Sequence, residues 1–169
     1  LHEADDDSAS AGAISVNELA AQLLPRRPAG DDRPEETALA IYLGLEEVEG
    51  STLWTPLGVA ANALAIDRND VSAALLKARE RWLKTPQLTE LRNHFESLLS
   101  TQGGVMTVPE LTSALLAMRG CASQDDAERL RLATAVVRAC CEAEAHLERL
   151  RFQEFEHRPL PLIAVSAEL

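Results

Sequence analysis

Apolar residues recur at helical spacing through most of this chain, and prolines, glycines and charge clusters mark where one helix ends and the next begins. The first such run is Ile14 to Leu24. Ser15 with Glu18 three residues on has the form of a capping box, and Ile14 with Leu19 that of a hydrophobic staple. Pro25 stops this helix, and PRRPAGDDRPEE, with three prolines and a glycine among charges, is linker chemistry. A second helix is expected from about Pro34 to Leu43, with Leu39, Tyr42 and Leu43 on one side.

From Thr55 to about Lys84 the pattern is most informative. Thr55 is a fair N-cap with Pro56 at the first helical position, and Leu57, Ala60, Ala61 and Leu64 line one face. Ala65-Ile66 breaks the helix. Asp67 then caps a second one, in which Val71, Leu75, Ala78 and Trp82 recur at the period of an amphipathic helix. Two helices joined by so short a turn make a helix-turn-helix pattern.

The remainder reads as a second unit. Thr85-Pro86 opens a helix with the stripe Leu88, Leu91, Phe95, Leu98 and Leu99, and Gly103-Gly104 end it. Val105-Met106 is a candidate short strand, Thr107 with Glu110 a second capping box, and a helix runs to Arg119 before Gly120. Ser123 with Asp126 starts a long third helix to about His146, expected to pack Val136, Val137 and Cys140 against the stripe from Leu91 to Leu98. LRFQEF and LIAV, around the turn HRPLP, form a hairpin. Helix, strand, helix, helix, hairpin is the order of a winged helix. The expectation is therefore a mainly α protein: an acidic disordered tail over 1–13, a helical helix-turn-helix domain over 14–84, and a winged-helix-like domain with a C-terminal β-hairpin over 85–169.

Charge narrows the partners. The 169 residues carry a net charge of −11, with 12 acids against 3 bases in residues 1–50, 5 against 6 in 51–100, and 10 against 7 in 101–169. Such a chain has no strong general grip on nucleic acid, which draws on Lys and Arg, but its middle third is locally basic. Three cysteines without disulfide-like spacing fit a reducing compartment. No signal peptide and no membrane-spanning run is legible, so a cytoplasmic protein without membrane partners is expected. The lack of an initiator Met points to a segment of a longer protein.

Catalytic chemistry is not legible. There is no Gly-rich phosphate loop, H-R-D, D-F-G, G-x-S-x-G or H-E-x-x-H. Along one helix Cys140 and Cys141 point about 120° and 140° from His146, so they do not converge on an ion. They read as small buried residues, and no metal, cofactor or ATP hydrolysis is expected. Glu142, Glu144 and Glu148 read as a solvated face. Arg129, Arg131, Arg138, Arg149, Arg151 and Arg158 interleave with glutamates, which reads as a solvated surface with local pairs rather than a basic wing.

With Val71, Leu75, Ala78 and Trp82 inward, the second helix of the pair turns Asn69, Ala73, Leu76 and Glu80 outward, flanked by Ser72, Lys77 and Lys84. Asn69, Ser72 and Ala73 suit base edges and thymine methyls, while Arg68, Lys77, Arg81 and Lys84 suit phosphates. Leu76 and Glu80 suit neither, and an exposed Leu76 is instead the signature of protein docking. Four cations imply a log-log salt slope near −3.6, by the relation of about 0.9 per phosphate, and deletion of residues 1–36 is expected to tighten binding.

NELAAQLLPRRPAG, YLGLE, TPLGVAANALAIDRNDVSAALLKARERW and LRNHFESLLSTQGGVMTVPELTSALLAMRG, spread over residues 17–120, resemble the non-kinase region of PglW-type serine/threonine kinases of bacterial BREX (phage growth limitation) defence systems. Within this stretch, Thr55 to Arg81 is similar to a sigma-factor region 4 helix-turn-helix. It departs at Ala65, where glycine is usual, and at Asp70, where a basic or polar group is. The resemblance implies a noncatalytic DNA-recognition and regulatory region of a larger defence kinase. The alternatives are a module docking defence proteins or the kinase domain, and a free-standing regulator, which the missing Met start disfavours.

Overall fold

The computed structural model describes residues 14–25 and 33–165. The acidic tail expected over 1–13 and residues 26–32 of the expected linker lie outside them. Among the described residues there are seven helices and three strands: α1 (Val16–Ala21), α2 (Pro34–Leu43), α3 (Leu57–Ala63), α4 (Arg68–Leu83), α5 (Pro86–Thr101), β1 (Val105–Thr107), α6 (Val108–Arg119), α7 (Asp126–Ala145), β2 (Phe152–Phe155) and β3 (Leu162–Val165). The fold is mainly helical, with one small antiparallel sheet.

The expected order of helix, strand, helix, helix and hairpin is present. β2 and β3 pair antiparallel from Phe152–Val165 to Phe155–Leu162, and β1 adds to the other side of β3, with Met106 opposite Ile163, giving the order β1-β3-β2. Gly104 lets β1 start there. Its φ is 93°, and a Cβ would come within 3.2 Å of the Val165 side chain.

Some of the expected caps are realised and others are replaced by competing contacts. Asp67 caps α4 by accepting from the Asn69 N–H at 2.8 Å. Thr107 and Glu110 form the reciprocal capping box of α6. The box expected at Ser15 does not form: Ser15 is the N-cap but its side chain makes no capping bond. The N–H of Val16 donates instead to the Gly120 carbonyl, and Asn17 accepts from the Ala122 N–H, so the end of α6 holds the start of α1. Thr55 is likewise not the cap of α3. Its hydroxyl closes a turn with Thr52, donating to that carbonyl and accepting from that N–H, which leaves Pro56 at the cap position. Asp125 rather than Ser123 caps α7, since Ser123 donates to Glu128.

The turn between α3 and α4 carries backbone strain. Ala65 sits at φ 52°, where its Cβ is disfavoured and glycine is not. Replacing Ala65 with Gly is expected to stabilise the protein by about 0.5–1 kcal/mol, the relief of strain exceeding the added freedom of the unfolded chain. A thermal melt checks this, and a lowered melting temperature would mean the turn is unstrained.

One buried cluster runs through the molecule from Val16 and Leu19 in α1, through Val71 and Trp82 in α4 and Phe95 in α5, to Phe152 and Ile163 in the sheet. The expected boundary at 84/85 is the turn between α4 and α5, and this cluster crosses it. α7 is the axis. It packs against α1, α2, α4, α5, α6 and β2, and every residue from Ala133 to Glu144 is buried. From Ala133 to Glu144 it carries small and apolar residues around most of its circumference, with Arg138, Glu142 and Glu144 the charged exceptions.

Candidate nucleic-acid interface

α4 is held along one face and open along the other. Val71, Leu75, Ala78 and Trp82 are buried, and the Trp82 indole N–H donates to the Leu23 carbonyl at 2.8 Å, tying α4 to the end of α1. Arg68, Asn69, Ser72, Ala73, Leu76, Lys77, Glu80 and Lys84 are all exposed, and Leu76 is the most exposed large apolar residue described, at 47%. The Arg68 side chain lies across α3 at Gly58, where a Cβ would stand 3.7 Å from its Nε. Among the described residues Arg68, Lys77 and Lys84 have no ion pair.

Of the two other α4 cations, one is drawn off this surface by a buried carboxylate and the second is only half exposed. Arg79 donates through Nε and Nη2 to the buried Glu142 carboxylate, which also accepts from the Tyr42 hydroxyl. Arg81 is half-buried and lines a cavity of about 410 Å³ together with Lys77, Asp70 and, from the first turn of α2, Glu35 and Glu36. The exposed face therefore offers three cations, Arg68, Lys77 and Lys84, against the carboxylates of Asp70 and Glu80.

The second buried constellation corrects the sequence reading. Glu142 and Glu144 are not a solvated face: they are 4% and 0% exposed, and of that group Glu148 alone is exposed. Arg138, grouped with a surface patch, is 4% exposed and lies between aromatic rings, 3.5 Å from the Tyr42 centroid and 4.8 Å from that of Trp54. Its Nη1 donates to the Tyr42 and Thr55 carbonyls, so α7 clasps the end of α2 and the approach to α3. Glu144 accepts from Arg92 at 3.0 Å and from the backbone N–H and guanidinium of Arg151 at 2.7 and 3.0 Å. Burial pushes the Glu144 carboxyl up, but these donors outweigh it and hold its pKa below the ordinary value. Once other elements cover α7 on every side, Arg138, Glu142 and Glu144 are buried and each is held by polar partners.

Cys140 and Cys141 are buried, as expected, and burial pushes the Cys140 thiol up to about 12. Among the described residues no group of three His, Cys, Asp or Glu side chains is placed to hold a metal, and no helix is long and apolar enough to cross a membrane.

This architecture defines a mainly helical protein that buries a paired-charge axis and leaves one helix face open. Over 151 residues, 86% of this chain, the sequence is 28% identical to the probable kinase PglW of Streptomyces coelicolor (strain ATCC BAA-471 / A3(2) / M145). The chain spans 10% of that protein's length, and the H-R-D, D-F-G and Gly-rich-loop signatures of kinases do not occur in it. No family model matches the chain, and no solved structure matches it.

Proposed function

We propose that this chain is a noncatalytic accessory region of a PglW-like, cytoplasmic phage-defence kinase, and that α3, the Ala65 turn and α4 are a helix-turn-helix of the sigma region 4 kind that offers the outer face of α4 to duplex DNA. The observation that carries this is the division of α4: its core face is locked by Trp82 and Val71, while Arg68, Asn69, Ser72, Ala73, Lys77 and Lys84 share the open face. The order α5, β1, α6, α7, β2, β3 supports a winged-helix unit behind it. In that unit α7 has the place of a reading helix, yet it is enclosed from Ala133 to Glu144. DNA contact accordingly falls to α4.

The charge on α4 makes the expected binding weak. With Arg79 paired and Arg81 half-buried, three fully exposed cations remain, and a log-log salt slope of about −2.7 is expected. Affinity should fall roughly twentyfold for a threefold rise in salt. Lys77→Glu with Lys84→Glu should weaken binding to all sequences alike, whereas Asn69→Ala should change the preference among them. Removing residues 1–13, with Glu3, Asp5, Asp6 and Asp7, should tighten binding at low salt. The deletion stops there because α1 belongs to the core. Titration of this shortened protein with duplex DNA at two salt concentrations is the test, and a flat response at both would end the DNA reading.

The exposure of Leu76 favours a second reading, in which the same face docks another defence protein or the kinase domain. Leu76→Asp separates the two. It should abolish capture of the kinase domain if docking is the function, whereas if DNA binding is the function the added carboxylate should weaken binding to all duplexes alike.

A further inference from the structure

Away from α4, the loop before α3 and the hairpin enclose a groove of about 350 Å³, lined by Trp54, Pro56, Glu154, Glu156, Pro159 and Pro161, with His157 at its edge. No Lys or Arg lines it. Its indole wall is fixed in place: the Trp54 N–H donates to Glu154 Oε2 at 3.0 Å, and the guanidinium of Arg138 lies 4.8 Å from the ring centroid. Glu154 in β2 and Glu156 just beyond its end both line the groove. The groove thus combines a rigid aromatic face, proline rings and two carboxylates, the chemistry that receives an arginine or lysine side chain carried on an extended backbone.

We infer that this groove docks an extended, arginine-bearing segment of a partner protein, seating a guanidinium over the groove face of Trp54 and beside the carboxylates of Glu154 and Glu156. Charge complementarity selects this occupant over an acidic or purely apolar one. Glu154 and Glu156 both present exposed carboxylates to this groove, and desolvation and the neighbouring Glu142 raise the Glu154 pKa more than Arg138, the Trp54 N–H and Arg79 lower it. An added cation relieves that imbalance, while an acidic segment would deepen it. The inference is independent of DNA binding, since no lining residue belongs to α4.

The probes are a capped pentapeptide of alternating arginine and proline and its counterpart with glutamate in place of arginine. Calorimetry follows binding to the whole chain, and the Trp54 indole resonance reports where it occurs, with the buried Trp82 as internal reference. The arginine peptide should bind and shift the Trp54 signal alone, and the glutamate peptide should not. Glu154→Gln with Glu156→Gln should weaken the arginine peptide about tenfold while keeping an acceptor for the Trp54 N–H, so that the melting temperature stays near that of the parent. Equal binding of both peptides, a shift of Trp82 instead of Trp54, or affinity unchanged in the double variant would each overturn the inference.

Discussion

Replacing Glu144 with Ala is expected to cost about 3–5 kcal/mol and to lower the melting temperature by roughly 10 °C or more. Glu144 is fully buried and is the acceptor for Arg92, itself 4% exposed, and for Arg151. Without the carboxylate, Arg92 keeps its charge in the core with no anion against it, whereas Arg151 is exposed enough to turn towards Asn93 and Glu96, which it already contacts. The double change Glu144→Leu with Arg92→Met should recover part of the loss, because it removes the stranded charge along with its partner. The same site sets an acid limit. A carboxyl whose pKa is depressed on folding contributes stability above its unfolded pKa, near 4.5, and loses it as pH falls through the lower folded value. Acid unfolding of Glu144→Ala should therefore be shallower in that window than for the parent. A melting temperature within 2 °C of the parent would show that the Arg92 pair does not hold α7, on the scale of about 2–4 °C per kcal/mol.

Val137→Asp is expected to be at least as damaging, by about 4 kcal/mol or more, a large share of the roughly 5–15 kcal/mol that holds an ordinary domain folded. Val137 is 0% exposed at the centre of α7, where helices from both halves of the chain meet. No cation is supplied for a new carboxylate there, so the chain must bury a charge or open. Leu130→Asp serves as the control. Leu130 lies on the same helix but is 37% exposed, and that change should cost no more than about 0.5–1 kcal/mol. Similar melting curves for the two variants would sink the assignment of α7 as the enclosed axis.

Both effects sit on the helix whose charges the sequence reading put in solvent. The error has a physical source. Interleaved Arg and Glu on a helix are ordinarily solvated, and whether they are buried depends on what packs around the helix, which periodicity within a single element does not reveal. α7 is covered by α1, α2 and α4 from far earlier in the chain, so Arg138 meets Tyr42 and Glu142 meets Arg79 across large sequence separations. The open face of α4 was legible for the converse reason. Val71, Leu75, Ala78 and Trp82 recur with one helical period, which places Asn69, Ala73 and Leu76 opposite them whatever the partner element is.

By itself the sequence determined what depends on neighbours a few residues away: the spans of α2 and α6, the caps at Asp67 and Thr107, the glycine stop before β1, the hairpin, and the two faces of α4. These follow from hydrogen bonds and periodicities that close within one or two turns. Only the tertiary structure decided that the Val16 N–H would bond the Gly120 carbonyl, that one core would cross the 84/85 turn, that Arg79 would leave the surface of α4 for Glu142, and that Trp54 would meet Glu154. Each of these rests on a contact between distant segments, whose gain must offset the entropy of bringing them together, and that balance is set by the whole fold rather than by any one element.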